Sequence, residues 1–412
     1  MRLAGAGLVM PLGLQAVAAP SERVRHAVIG TGNQGRQHAR AFDAASDCDV
    51  VALCDLDPRR RAKVRGGMAK PDAVMETDDF HTILEDDSID SVSVATPDHW
   101  HTSIALHALQ AGKHVYVEKP CSHNIAEGLT LEQAAKKSGK CVQHGTHSRG
   151  SAGIRDGIAY LQEGHLGKVR LAKAINHQLR KPIGRAPVSE PPAGVDYDRW
   201  LGPAPVHPFT KNRWHYNWHW FWDYGCGDIG NDGIHQIDQA RWGLNVEYPK
   251  SITGSGGQLF YDDDHETPDT QLITYEYDDC YLVYEMRLWT SYPLEGHDNG
   301  VVFYGDAGKL EIGRQGCHVT LKGEEKQKVG DGAAFDSNVR NFLDAVKADD
   351  PAMLQAPIDE GVISSSMCHM GNIVSRIGRS LRYDASTGLF DADEANALRT
   401  RSYREGYELP AL

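Results

Sequence analysis

Residues 23–42 read "RVRHAVIGTGNQGRQHARAF", an apolar run followed by three glycines and a helical pattern. The apolar run ends at Ile29, and the glycines follow as Gly30-x-Gly32-x-x-Gly35. Between a strand and a helix, this spacing is typical of a turn that binds a dinucleotide. The first glycine permits a tight turn, the second lets the backbone approach a pyrophosphate, and the third lets helix and strand pack closely. The stretch therefore predicts the first unit of a dinucleotide-binding domain.

A second strand, "DVVALCDLDP" at residues 49–58, carries Asp55 at its tip. A carboxylate at this place accepts hydrogen bonds from the adenosine ribose and repels a 2′-phosphate, which favours NAD over NADP. Residues 59–61 are all arginine and could pair with a phosphate. NADP therefore stays open as the less favoured cofactor.

Strands and helices continue to alternate, with strand Ser91–Val94, a helix that stops at Gly112, strand Val115–Val117 and a helix that stops at Gly139. This alternation predicts a parallel sheet, whose ligands bind at the carboxyl ends of the strands. The predicted cofactor contacts, all at or near such ends, are Gly30, Gly32, Asn33, Gln34, Gly35, Asp55, Thr96, Pro97, His101, Glu118, Lys119 and Gln143.

The strand at Val115–Val117 is unusual because it ends on Glu118-Lys119-Pro120. With "ATPDHWH" at 95–101 and "GDIGNDGIHQIDQARW" at 227–242, this motif resembles the Gfo/Idh/MocA oxidoreductases (glucose–fructose oxidoreductase, inositol dehydrogenase and relatives) from about residue 24 onward. The resemblance implies that Glu118 and Lys119 sit beside the nicotinamide and that Lys119 reaches the substrate hydroxyl. It also implies that Pro120 fixes the turn, often through a cis peptide.

From Lys168 onward, long alternating segments predict a mostly antiparallel open sheet with helices on one face. The resemblance implies subunit contacts through the other face, and hence a homo-oligomer. The predicted fold is therefore α/β, with an N-terminal Rossmann parallel sheet and a C-terminal α+β domain with a large open sheet. The predicted boundaries are 21–147 for the NAD-binding domain, 148–355 for the substrate and oligomerisation domain, and 356–412 for a C-terminal helical extension. Residues 393–407, "DEANALRTRSYREGY", are typical of a solvated terminal helix.

Residues 212–228, "NRWHYNWHWFWDYGCGD", are dense in aromatic side chains. These rings could form a platform for sugar rings, or they could pack as part of the core. The long Pro/Gly-rich segment that precedes them would lie over such a core, and we expect it to form a lid or rim. We expect both, with roughly a third of the rings touching ligand.

The following helix places Asn231, His235 and Asp238 near one face. The resembled family has an aspartate four residues before its histidine, whereas this chain has Asn231 there and Asp232 next, which weakens a Lys–Asp–His relay. We predict Lys119 and His235 as catalytic residues. The predicted substrate contacts are Lys119, Arg149, Trp218, Asn231, Asp232, His235 and Asp238.

Three functions follow from these residues. The first is an NAD-dependent oxidoreductase for a secondary alcohol of a sugar, polyol or glycoside. The second, implied by the resemblance because some members of the family work in this way, is an NAD-dependent glycosidase that uses transient C3 oxidation and elimination. The family's N-acetylgalactosaminidase branch replaces the lysine that this chain keeps, which favours the first. The third is a non-catalytic NAD-binding sensor, against which the intact Lys119 and His235 argue.

Other features limit the partners and the compartment. The net charge is −13 with no long Lys/Arg block, which argues against nucleic acid and membrane surfaces as partners. Histidine pairs such as His99/His101 lack a third ligand, so no metal is predicted. The eight cysteines include no C-x-x-C pair and suggest small buried side chains. Residues 1–20 resemble an export signal or, failing that, a tail, so we expect a periplasmic or exported protein, otherwise a cytoplasmic one.

Overall fold

The glycine turn leads out of the first strand of a six-stranded sheet in the computed structural model, which describes residues 23–411. All five strand pairings are parallel and the order is β3-β2-β1-β4-β5-β6, which confirms the Rossmann domain. The export-signal prediction for residues 1–20 lies outside the described residues. The elements of this domain are β1 Val24–Ile29, α1 Asn33–Ala44, β2 Cys48–Cys54, α2 Pro58–Arg65, β3 Met75–Thr77, α3 Phe80–Leu84, β4 Ser91–Val94, α4 Asp98–Gln110, β5 His114–Val117, α5 Ile125–Ser138 and β6 Val142–His144.

The glycine turn has the conformation that its sequence requires. Gly30 has φ +87°, and a Cβ there would lie 2.6 Å from the backbone of Ala95. A Cβ on Gly35 would lie 1.7 Å from the carbonyl oxygen of Gly30, because α1 packs directly on the turn. These two glycines therefore shape the turn and the helix contact, and Gly30 and Gly32 both line the cleft described below.

The second domain is a ten-stranded sheet in the order β14-β13-β12-β11-β7-β10-β9-β8-β15-β16. Only the β7–β10 pairing is parallel among its described pairings, so the prediction of a mostly antiparallel sheet is confirmed. Its elements are α6 His147–Gly150, α7 Ala152–Gln162, β7 Val169–Asn176, α8 Tyr197–Leu201, α9 Ile234–Leu244, β8 Ser251–Gly257, β9 Thr270–Glu276, β10 Tyr281–Arg287, β11 Asn299–Gly305, β12 Gly308–Gly313, β13 Gly316–Leu321, β14 Gln327–Gly330, α10 Phe335–Ala348, α11 Ile358–Ile377, β15 Leu381–Asp384, β16 Leu389–Phe390 and α12 Asp393–Ala397.

Helices α7, α9 and α11 pack on this sheet and enclose a large apolar core. Side chains alternate along β9 and β10, so Ile273 and Leu282 are buried while Leu272 and Tyr281 are about half exposed. This alternation is expected for a sheet that is covered on one face only. Oligomerisation through the exposed face stays a prediction.

The end of the chain differs from the sequence-based expectation. Residues 356–412 are not only helical, because β15 and β16 form one edge of the second sheet. The predicted solvated helix at 393–407 is wrong beyond Ala397, where α12 ends after five residues. The chain then returns to the first domain, because the fully buried carboxylate of Glu127 on α5 takes the guanidinium of Arg401 as its partner at 2.8 Å. A polar sequence pattern does not reveal such a distant ion pair.

All eight cysteines lie in the described part of the chain, and each is buried and unpaired, as expected for small core side chains. No group of three His, Cys, Asp or Glu side chains that would suit a metal ion occurs within residues 23–411. Over the same residues, every helix is too short or too polar to cross a membrane.

Candidate active site

A cavity of about 1240 Å³ lies at the carboxyl ends of the first sheet, where the second domain meets it. Its walls come from the glycine turn, from the tips of β2, β4 and β5, and from the segments before α9. The predicted site residues that line this cleft are Gly30, Gly32, Asn33, Gln34, Asp55, Thr96, Pro97, His101, Glu118, Lys119, Trp218, Asn231, Asp232 and His235. Four predicted residues, Gly35, Gln143, Arg149 and Asp238, are not in its lining.

One half of the cleft fits a dinucleotide. Helix α1 begins after Gly32 with no side-chain cap and no acidic residue in its first turn, so its first N–H groups remain free for an anion. Asp55 is held at the tip of β2, where Oδ2 accepts a hydrogen bond from the backbone N–H of Thr31 at 2.7 Å and Oδ1 accepts one from Asp57 at 2.9 Å. An anion site and a fixed carboxylate at these two strand ends suit a pyrophosphate and a ribose.

The three arginines after Asp55 do not form a common phosphate site. Arg59 pairs with Asp57 at 2.9 Å, and Arg61 donates to the backbone carbonyl of Asp55 and lies 3.7 Å from Glu76. Only Arg60 among the three lines the cleft. This placement leaves Asp55 as the main determinant at the ribose position, which agrees with NAD.

The strand tip of β5 carries the charged motif into the cleft. The buried carboxylate of Glu118 accepts a hydrogen bond from Nε2 of His38 at 2.8 Å. Burial opposes ionisation of Glu118, but this hydrogen bond and the charges of His38 and Lys119 outweigh it and hold its pKa at about 2. The ammonium of Lys119 donates to the backbone carbonyl of Asn231, so it bridges the two domains. The peptide bond before Pro120 is cis, as the resemblance implied.

His235 lies in the same part of the cleft as Lys119. Burial and the neighbouring charges of His147 and Lys119 lower the pKa of His235 well below its usual value, so its imidazole is neutral. The His147 ring is 4.8 Å from the His235 ring, centroid to centroid, and the buried Nδ1 of His235 has no hydrogen-bond partner among residues 23–411. A neutral imidazole here can accept a proton or a hydrogen bond.

The segment before α9 begins with a π-helical turn, Ile229–Gly233, which replaces the α-helical start that its sequence predicts. A π turn has one residue more than an α turn, and the consecutive residues Asn231 and Asp232 both line the cleft. Asp232 accepts hydrogen bonds from Gln178 and, at 2.6 Å, from Asn299. Burial and the nearby charge of Asp228 raise the pKa of Asp232 to about 6. The acid that the family motif has at the position of Asn231 is thus supplied in this chain one residue later, by Asp232.

The aromatic segment is divided between the cleft and the core, as expected. Trp214, Tyr216 and Trp218 line the cleft, whereas Trp220 and Tyr224 are fully buried in the second domain. The long Pro/Gly-rich segment that precedes the aromatic segment also reaches the cleft, through Arg199 and Trp200, and so forms part of its rim.

Three of the sequence-based assignments need correction. Gln143, predicted at the cofactor, is buried and donates to the backbone carbonyl of Asn338 at 2.7 Å. Arg149 and Asp238, predicted at the substrate, form a buried pair with distances of 2.9 to 3.1 Å, and Ser364 donates to Asp238 at 2.7 Å. Buried charges are stabilised by such pairing, and neither side chain lines the cleft.

Sequence reasoning also missed residues that line the cleft. Arg180 follows β7 and donates to the buried Asp228 at 2.9 Å, and Arg180 outweighs burial to lower the pKa of that carboxyl. Asp98 is 4% exposed, and burial raises its pKa to about 7 although Lys119 opposes the shift. A signal for Asp98 existed, because it directly follows Thr96-Pro97 at a strand end. Arg180 had no local signal, since only the tertiary fold brings the end of β7 to the cleft.

Known families match both domains. Residues 24–146 match the GFO_IDH_MocA model, described as an oxidoreductase family with an NAD-binding Rossmann fold. Residues 182–409 match GFO_IDH_MocA_C2, the C-terminal alpha/beta domain of the same oxidoreductase family. The two matched regions together leave out residues 1–23, residues 147–181, which include α6, α7 and β7, and the last three residues.

Individual relatives are similar over part of their length. A glycosyl hydrolase family 109 protein of Solibacter usitatus is 34% identical over 133 residues, which is 30% of this chain and 30% of the relative. An inositol 2-dehydrogenase of Rubrobacter xylanophilus is 26% identical over 229 residues, 55% of this chain and 54% of the relative. The chain therefore spans about a third to a half of these two curated relatives. The crystal structure of an aldose-aldose oxidoreductase from Caulobacter crescentus, complexed with glycerol, matches with a TM-score of 0.67 at 19% sequence identity. The match covers 87% of this chain and 99% of the chain in that structure, so the two share the same fold.

Proposed function

The chain belongs to the Gfo/Idh/MocA oxidoreductase family, and from this premise we propose that it transfers a hydride between NAD and a secondary alcohol of a sugar, polyol or glycoside. The observation that carries the proposal is the position of Lys119. Its ammonium shares one cleft with the glycine turn and Asp55 on one side, and with Asp232 and His235 on the other.

The residues of the cleft support proton transfer next to a dinucleotide. Bound NAD would be held by the glycine turn and Asp55 and would supply the acceptor and donor for the hydride of the carbinol carbon. Lys119 takes the hydroxyl proton as the free amine in the oxidative direction and gives a proton back as the ammonium in the reductive one. The neutral His235 accepts a hydrogen bond from the same hydroxyl or shares its proton. Glu118 is held ionised by His38 and fixes the strand tip that carries Lys119.

The walls around Lys119 support a carbohydrate or polyol as substrate. The rings of Tyr216 and Trp218 offer apolar faces, on which the C–H faces of a sugar stack. Asp232 and Asn231 offer polar groups for neighbouring hydroxyls. Relatives that are named as inositol dehydrogenase and as aldose-aldose oxidoreductase agree with this class.

The test replaces Lys119 by methionine, which keeps the length of the side chain and removes its proton-transfer group. We expect Lys119→Met to retain NAD and to lose turnover by ~10²-fold or more, because general acid–base groups contribute about 10²- to 10⁴-fold. Turnover is measured as absorbance at 340 nm with a panel of sugars and polyols, on protein that carries its cofactor. Lys136→Met is the matched control, since Lys136 is a surface residue that pairs with Glu132 on α5. Near-normal turnover of Lys119→Met would end the proposal, and a wild-type protein that reduces NAD with no member of the panel would favour the sensor.

A second candidate is an NAD-dependent glycosidase, which relatives named as glycosyl hydrolase family 109 proteins favour. In this reaction, oxidation at C3 acidifies the C2–H bond and permits elimination of the aglycone. Lys119 would then move the C3 hydroxyl proton as in the first proposal. Release of nitrophenol from nitrophenyl glycosides without net formation of NADH identifies the glycosidase, whereas net NADH formation from free sugars identifies the dehydrogenase.

A further inference from the structure

Residues 398–411, which we name the clasp, follow α12 and form no helix or strand. They nevertheless have fixed contacts with the first domain. Arg401 and the hydroxyl of Tyr403 both contact Oε1 of the buried Glu127, at 2.8 and 2.9 Å. The backbone N–H of Ala126 donates to the carbonyl of Arg399 at 3.0 Å. The clasp is therefore tied to the N-terminus of α5, on the Rossmann domain.

The far end of the clasp reaches the cofactor cleft. Gly406, Tyr407 and Glu408 line it, although they are more than 280 residues beyond the strand tips that form its floor. The Tyr407 ring meets the Trp100 ring edge-on, with 5.8 Å between centroids, and Trp100 in turn meets Phe80 at 6.0 Å. Trp100 and Phe80 also line the cleft, so the three rings form one continuous aromatic wall.

This wall belongs to the adenosine half of the cleft. In a Rossmann domain the glycine turn takes the pyrophosphate and the acid at the end of β2 takes the ribose. The adenine consequently lies beyond Asp55, toward the strand that pairs with β2 on the outer side. That strand is β3, and Phe80 begins the helix directly after it. The side chain of Tyr407 thus approaches the place where a purine ring would lie.

A second segment closes the same half of the cleft and is joined to the clasp. Arg404 of the clasp pairs with Asp198 of α8 at 2.6 Å. The next residue, Arg199, donates to the backbone carbonyl of Asp78 at 2.8 Å, just before α3, and the carbonyl of Trp200 accepts a hydrogen bond from the indole of Trp100 at 3.0 Å. The Arg404–Asp198 pair joins these two segments. This half of the cleft therefore opens only if the pair breaks or if both segments move together.

We propose that the clasp is part of the NAD site: Tyr407 and Glu408 border the adenosine half, and the Arg404–Asp198 pair holds them there and slows release of the cofactor. The proposal rests on the proposed function only in taking NAD as the dinucleotide. It assigns a role in cofactor retention to residues that lie outside the glycine turn and the strand tips. An enzyme that holds its cofactor in this way would suit successive oxidation and reduction of two substrates on one bound NAD.

The test measures the release of NAD directly. Holoprotein loaded with radiolabelled NAD is chased with excess unlabelled NAD, and the bound label is followed by filtration. We expect Tyr407→Ala to release NAD about 10-fold faster than the wild type, because an aromatic contact contributes up to roughly the 1.4 kcal/mol that corresponds to a tenfold change. We expect Arg404→Gln to release NAD about fivefold faster, because the side chain of Asp198 is 64% exposed and such a pair contributes at most about 1 kcal/mol. Arg379→Gln is the matched control, since Arg379 forms a surface pair with Glu394 at 2.6 Å outside the cleft and should leave the release rate within about twofold of wild type.

The outcomes separate the two proposals. Wild-type release rates in both Tyr407→Ala and Arg404→Gln overturn the proposed role of the clasp in NAD retention. This conclusion also holds if the two variants lower the melting temperature of the NAD-free protein but release NAD at the wild-type rate. Tyr407 is half-buried, so we expect Tyr407→Ala to fold. If Arg404→Gln does not fold, the release rate of Tyr407→Ala alone decides whether the clasp retains NAD. Faster release together with normal turnover of Lys119→Met supports the clasp and ends the proposed function. A wild-type protein that binds no NAD ends both.

Discussion

Replacing Asp238 by alanine should destabilise the protein without changing its cleft. Asp238 accepts three hydrogen bonds of 2.9 to 3.1 Å from Arg149, and the two side chains are 1% and 6% exposed. A second buried arginine, Arg241, lies 3.7 Å from the same carboxylate, and Glu360 is the other acid of the group. Two guanidinium groups are thus balanced by two carboxylates, of which Asp238 is the buried one.

The magnitude follows from the charges that the substitution leaves behind. In Asp238→Ala both guanidinium groups share Glu360, whose side chain is 37% exposed. Removing one partner of a buried ion pair costs about 3 to 5 kcal/mol, because the remaining charge is left without compensation in an apolar surrounding. The free energy of unfolding should fall by this amount, which at about 1.4 kcal/mol per tenfold corresponds to a 10²- to 10³-fold or larger change in the folding equilibrium.

The assay is urea unfolding of the NAD-free protein at pH 7, followed by fluorescence. Asp344→Ala is the control, since Asp344 forms a half-exposed pair with Arg340 and should cost at most about 1 kcal/mol. The double variant Arg149→Met/Asp238→Leu removes both charges and should lose much less than Asp238→Ala. A loss below about 1 kcal/mol in Asp238→Ala, together with a raised KM for the sugar, would refute this reasoning and return Asp238 to the substrate site.

Two further predictions concern the cleft itself. A Cβ on Gly32 would meet only the flexible end of the Arg60 side chain, at 3.0 Å, so Gly32→Ala should fold normally. Calorimetry should show that this variant binds NAD about 10-fold or more weakly than the wild type. Gly30→Ala should instead lose stability, because its Cβ would meet backbone atoms at 2.6 Å. Burial raises the pKa of Asp98 to about 7, against about 3.9 in an unfolded chain, so the folded protein binds this proton more tightly and stability falls as the pH rises from about 4 to 7. Asp98→Asn should therefore raise the melting temperature at pH 8 but not at pH 4, and an equal effect at both pH values would contradict the assignment.

The cofactor half of the cleft could be predicted from the sequence because its geometry is local. The turn at Gly30 and Gly32 is set by neighbouring residues, and the parallel sheet then brings Asp55 and Lys119 to the same edge. In such a sheet, the few residues that follow the end of a strand are candidates for the site, wherever the strand lies in the sequence. This rule led to Lys119, which lies two residues beyond β5 and lines the cleft, and it would also have found Asp98, four residues beyond β4.

The errors arose where a face was assigned without knowledge of what it packs against. Helical spacing put Asp238 near the face of His235, but on α9 that position meets Ser364 of α11 and the buried Arg149 of α6, which are its partners. The sequence placed Gln143 at a strand end, yet it is the middle residue of β6, and its side-chain N–H donates to the carbonyl of Asn338 on a helix some 195 residues later. The pairing that consumes these polar groups is tertiary, and no local pattern records it.

The same distinction explains why a chain of this family reveals its cofactor more readily than its substrate. The substrate half of the cleft is assembled from three separate segments: the end of β7 with Arg180, the aromatic segment with Trp218, and the π-helical turn with Asp232. Each contributes one wall, and a one-residue change in any of them redirects a side chain, as the shift of the acid from position 231 to 232 illustrates. The glycine turn tolerates less change, since a Cβ on Gly30 or Gly35 would meet backbone atoms. Under the proposed function, the three segments of the other half are therefore the ones to exchange in order to alter the substrate while Lys119 is kept.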